Sequence, residues 1–183
     1  FKNKGAYFLD AKNGRKMNQK ETNKKAFCEF VKICCDALGI GEVPPIFANS
    51  EKLKTETMAA CCEYDGEHWR IYIREIPDTV PDPLIFVSMA HDLRQIWQLE
   101  TDPAEWFDGY KSAAEFEGLD DFFQQKSEVD ANGFAMLMLA AVFGLEPQFE
   151  PLNDTTFQMI YTRFKELSDE YHKTGTENPD SEK

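Results

Sequence analysis

Paired polar side chains four residues apart are the feature of this chain with the most chemical potential. In AHDLRQIWQ, residues 90–98, His91 and Gln95 stand at i and i+4, and Asp92 follows the histidine. On a helix that spacing projects both side chains from one face, so that two ligands reach one metal ion. An acid after the first ligand then polarises metal-bound water. The fuller form of this pattern is HExxH; here it reads HDxxQ. A second segment, SEVDANGFA, residues 127–135, places Glu128 and Asn132 at the same spacing. One suits a carboxylate ligand, the other a group that orients a metal-bound histidine.

Each of these residues also has an ordinary reading. A histidine on an amphipathic helix is commonly hydrogen-bonded at a surface or in a core, and an acid such as Glu128 near a helix start complements the dipole. Asp130 reads as the capping-box partner of Ser127. Arg94 has acids around it to pair with, and Trp97, Trp106, Phe107 and Phe134 read as core and loop packing. His68 reads as a cross-strand surface residue, able to replace the missing second ligand only if it faces the helix of His91. His172 reads as solvated. No glycine-rich phosphate loop, GxSxG elbow or basic patch interleaved with aromatics competes with the two segments.

The elements that must carry these residues are legible from periodicity. Asn18 to Glu21 fits a capping box, after which Phe27, Phe30, Val31, Cys34 and Leu38 recur at helical spacing until Gly39. Pro44 and Pro45 break the chain. Residues 57–64 and 68–75 around Asp65-Gly66 predict a hairpin, with Trp69, Ile71 and Ile73 facing in and Arg70, Tyr72 and Arg74 facing out. Asp82-Pro83 opens an apolar helix over about 84–98. Residues 100–120 predict an ordered loop or short helical turns. A further helix runs from Ser127 through Phe134, Leu137 and Ala141 to Gly144, and a last one begins near Asp154 with Phe157, Ile160, Tyr161, Phe164 and Leu167 on one face. The order predicts an α+β fold.

Composition narrows the function classes. The 183 residues carry 20 Lys and Arg against 33 Asp and Glu, a formal net charge of −13. The first 25 residues hold eight basic and two acidic side chains, so the remainder carries −19 and is ill suited to nucleic acid. Residues 1–17 read as a basic linker or arm, 18–172 as the folded domain, and 173–183 as a disordered polar tail. No apolar run is long enough to span a bilayer. The five cysteines, Cys28, Cys34, Cys35, Cys61 and Cys62, read as buried thiols in a reducing, cytosolic compartment.

The two segments together resemble the zincin-type metallopeptidases of the minigluzincin, ImmA/IrrE-like class, whose pattern is similar to HELRHxWQ on one helix and ExxANxFA on a later one. The likeness covers roughly residues 40–145 in the order hairpin, motif helix, loop and third-ligand helix. It implies a zincin-like fold, a bacterial or phage origin and a zinc ion. By position it puts His91, Gln95 and Glu128 at the metal, Asn132 behind the histidine, and Asp92 in the place of the general base. Where the family has its second histidine this chain has Gln95, a neutral amide better matched to harder cations than zinc. Asp92 is one methylene shorter than the glutamate it replaces, and misplacement by about 1 Å can cost about a hundredfold in rate. The reading is therefore a catalytically degenerate domain that binds a protein or peptide partner, with zinc doubtful. The alternative is an active or weakly active metal-dependent peptidase using His91, Glu128 and Asp92.

Overall fold

The computed structural model describes residues 19–53, 59–74, 83–145 and 152–176. Asn18, the outer ends of the hairpin arms (Thr57 and Glu75), Asp82 and the segments 1–18 and 177–183 lie outside the described residues. Among those described, the fold is mixed α+β, with six α-helices and one three-stranded sheet. The first helix, α1 (Gln19–Leu38), buries Phe27, Phe30, Val31, Cys34 and Leu38, the residues that recur at helical spacing. Cys28 falls on the opposite face and is exposed, and Cys61 and Cys62 are half-buried, so of the five thiols expected to be buried only Cys34 and Cys35 are.

The hairpin forms with shorter arms than expected, β2 (Ala60–Tyr64) antiparallel to β3 (Trp69–Ile73). Its four-residue loop is tied by Asp65, whose side chain accepts from the amides of Glu67 and His68. His68 therefore sits exposed in this loop rather than in the second arm. A strand that periodicity did not reveal, β1 (Ile46–Ala48), runs parallel to β3 and makes it the central strand. Tyr72 keeps the face opposite Ile71 and Ile73 but is buried there, under Phe47 of β1, which stacks on its ring at 5.6 Å, and Lys52, whose Nζ lies 5.3 Å from the ring centre. Three residues after a double proline are too few to show a period.

The helix α2 (Pro83–Thr101) packs closely on α5 (Lys126–Phe143), and α5 packs equally closely on α6 (Asp154–Thr176). Between α2 and α5 the chain makes two short helices, α3 (Pro103–Phe107), capped by Asp102, and α4 (Leu119–Phe123). As the middle layer, α5 is buried on nearly all sides, and its C-terminal Gly144 takes φ +64, which a side chain would oppose. At Gly133 an added Cβ would stand 3.0 Å from Arg163 Cγ and 3.1 Å from the Phe164 nitrogen, so only glycine lets α6 approach this far.

Two boundaries differ from expectation. The α5 helix starts at Lys126 with Gln125 as its cap, so Ser127 and Asp130 do not form a capping box. The α6 helix continues past His172 to Thr176, because Leu167 and Tyr171 still pack on the core. Among the described residues no helix is long and apolar enough to cross a membrane.

Candidate functional site

The site lies where the first half of α5 crosses the middle of α2. One face of α2 presents His91 and Gln95, and α5 answers with Glu128 and Asn132. The imidazole and carboxylate meet directly, His91 Nε2 to Glu128 Oε2 at 3.3 Å, with 15% of the histidine side chain and 2% of the glutamate exposed.

Asn132 settles which nitrogen of His91 carries the proton. Its amide nitrogen donates to the Glu128 carbonyl at 2.9 Å, one turn back. Its oxygen therefore faces His91 Nδ1, 3.2 Å away, and accepts from it. With Nδ1 protonated, Nε2 of a neutral ring would oppose a lone pair to Glu128 Oε2. A positive charge resolves that opposition, and a second proton on the ring supplies it. Burial pulls the His91 pKa down, but Glu128, then Asp92 and the Asn132 hydrogen bond, leave it raised overall. Burial works against the Glu128 charge too, yet His91, Tyr110 and Gln95 hold its pKa below the ordinary value. Both shifts favour an imidazolium–carboxylate pair.

The other carboxylate oxygen, Oε1, accepts from Gln95 Nε2 and from the Tyr110 hydroxyl, each at 2.8 Å. Gln95 thus turns its NH2 group, a donor, to the place where a metal-ligating side chain was expected to offer an acceptor. Tyr110 was not foreseen. It is brought in by the segment after α3, where Gln125 bonds both the amide and the carbonyl of Lys111. Its ring packs against Phe107 and Phe122. Burial and the neighbouring Glu128 push its hydroxyl pKa up, so it stays a donor.

Asp92 lies beside this pair but is engaged from the sheet. Burial raises its pKa to about 6, against lowering by His91 and by a hydrogen bond from Cys62 on β2. Burial, then Asp92, push the Cys62 thiol well up, so the sulfur keeps its proton. Asp92 Oδ2 is closed off from solvent without a partner.

Behind the site is a second polar cluster centred on Asp130. Arg94 donates to it from Nε at 2.7 Å and from Nη2 at 3.1 Å, Gln98 Nε2 at 2.7 Å, and Arg163 Nε at 2.8 Å. Despite burial, these donors hold the Asp130 carboxyl below its ordinary pKa. Arg94 finds the acid expected of it, and Asp130 serves as the joint of three helices instead of a cap. The sequence signal was present: His91, Arg94, Gln95 and Gln98 form a polar stripe along the helix expected over about 84–98.

The donor chemistry does not fit a catalytic zinc ion, which takes three protein ligands and water. Only one acceptor, Glu128 Oε2, stands here, facing a protonated His91 Nε2, while Gln95 presents a donor, Cys62 is turned to Asp92 and His68 is in the exposed loop. No group of three His, Cys, Asp or Glu side chains among the described residues is arranged to hold a metal. The chain matches no protein-family model, no curated protein and no solved structure.

Proposed function

We propose that the chain is a zincin-like domain of the minigluzincin, ImmA/IrrE-like class whose peptidase centre has become a His91–Glu128 ion pair, and that it acts as a binding module for a protein or peptide partner. The observation that carries this reading is the Gln95 amide on Glu128 Oε1 at 2.8 Å. A ligand position has become a hydrogen-bond donor that, with Tyr110, uses up the oxygen facing away from the histidine. A proton on His91 then does the electrostatic work that a metal ion would otherwise do. Asp92 supports the same reading, since it is turned to a protonated thiol rather than held ready for a water molecule.

Metal analysis tests it. Purified protein dialysed against buffer should retain less than about 0.1 equivalent of zinc, with an unfolding midpoint that a chelator leaves unchanged. Retention of about one equivalent that is lost in His91→Ala would instead favour a metal-dependent peptidase using His91 and Glu128 with Asp92 as base. The double substitution Gln95→His with Asp92→Glu should raise zinc affinity at least about tenfold by restoring a third ligand. No gain would overturn the zincin-like juxtaposition.

A further inference from the structure

We propose that the chain between α2 and α5, residues 102–125, is a strap that swings off the fold as one unit and so uncovers the His91–Glu128 pair. These 24 residues hold α3 and α4, yet not one of them is buried. Gln98 before them and Ser127 after them are 0% exposed. A segment that gives the core no buried side chain opens at low cost, because local opening exposes little apolar surface. This opening is a property of the segment itself and does not depend on whether the site descends from a peptidase centre.

The strap has its own internal packing. Tyr110 meets Phe107 at 5.2 Å and Phe122 at 6.2 Å, and Phe122 meets Phe116 at 6.1 Å and Phe123 at 5.2 Å. At its base the Gln125 side chain ties the two limbs together, donating to the Lys111 carbonyl at 3.0 Å and accepting from the Lys111 amide at 2.8 Å. All of these contacts travel with the strap, so it keeps its shape as it moves.

Its polar attachments to the rest of the fold are replaceable by water. The Tyr110 hydroxyl donates to Glu128 Oε1 at 2.8 Å and acts as the latch. The Trp106 ring meets Trp97 at 6.2 Å and Lys126 Nζ at 4.8 Å, and Lys126 also pairs with Glu105 at the surface. Asp120 accepts from the Asn153 amide and Gln124 donates to the Thr156 hydroxyl, each at 2.9 Å. Exposed pairs such as Lys126–Glu105 add little stability. When Tyr110 leaves, Glu128 keeps His91 and Gln95, so no buried charge is stranded. The Asp130 cluster that joins α2, α5 and α6 takes no side chain from the strap and stays intact.

Native-state hydrogen exchange on the full chain tests this. The amides of Trp106, Tyr110, Lys111 and Gln124 are bonded within the strap. They should share one protection factor, at least about a hundredfold below that of the α2 and α5 interiors. Tyr110→Phe removes the latch hydroxyl and keeps the ring, and should lower the protection of all four together by about tenfold, leaving α2 and α5 unchanged. Trp106→Ala alters the strap at Trp97 and Lys126, away from the ion pair. It should loosen the same four amides and speed diethylpyrocarbonate modification of His91, read peptide by peptide, by a similar factor. Strap amides as protected as those of α2, an effect of Tyr110→Phe confined to Tyr110 and Lys111, or a Trp106→Ala protein whose His91 reacts as in the parent would each overturn the strap.

Discussion

Asp130→Ala is the sharpest perturbation of this fold. The carboxylate is 2% exposed and takes four hydrogen bonds, two from Arg94 and one each from Gln98 and Arg163. Counted singly at about 1.5–3 kcal/mol for bonds to a charged group, four would sum to more than 6 kcal/mol. They do not add in this way, because forming the cluster also desolvated three charged groups. The cost of breaking it is set by the unpaired guanidinium left behind, about 3–5 kcal/mol. Against a total stability of about 5–15 kcal/mol, that removes a third or more of the margin in most cases. With a urea m-value of roughly 2 kcal/mol/M, the midpoint should fall by about 1.5–2.5 M. Asp130→Asn should cost nearly as much, since its NH2 would face guanidinium donors. Glu170→Gln, on the exposed side of Arg163, should stay within about 0.5 kcal/mol. A loss below about 1 kcal/mol in Asp130→Ala would refute the view that this carboxylate joins α2, α5 and α6.

The pH dependence of stability follows from the site. Asp92 titrates at about 6 in the fold against about 3.9 in the unfolded chain, so burying its charge costs stability that is absent near pH 3 and grows through pH 4–6, up to about 3 kcal/mol. Asp92→Asn should accordingly match the parent near pH 4 and exceed it in thermal stability at pH 8; a gap that does not change with pH refutes this. The raised pKa of His91 adds stability that is full below about pH 6.5 and lost as pH rises through the folded value, so His91→Gln should cost most at pH 5 and least at pH 9. Gly133→Ala should lower stability by about 1–3 kcal/mol, because its methyl would press on Arg163 and the Phe164 backbone. An unchanged melting temperature would show that α6 shifts freely.

Much of this fold was legible because the helices are long enough to repeat their pattern. Phe27, Phe30, Val31, Cys34 and Leu38 all point inward as their spacing required. What escaped was short or non-local. The three-residue β1 left no periodic trace, yet its Phe47, with Lys52, covers Tyr72 on the outer face of the sheet. The capping box at Ser127 had the right letters, but the cap falls at Gln125, and Asp130 was claimed by Arg94 from another helix. Tyr110, in a segment dense in glycine and aromatics, carried no mark of its bond to Glu128.

The chain by itself determined that His91 with Gln95, and Glu128 with Asn132, would share helix faces, since helical spacing is a local property of backbone geometry. Only the tertiary structure decided that these faces meet, that Gln95 donates where a ligand was expected, and that Asn132 sets the proton on His91. Which group meets which depends on how the α2 and α5 surfaces pack, and that is fixed by contacts between residues some forty positions apart.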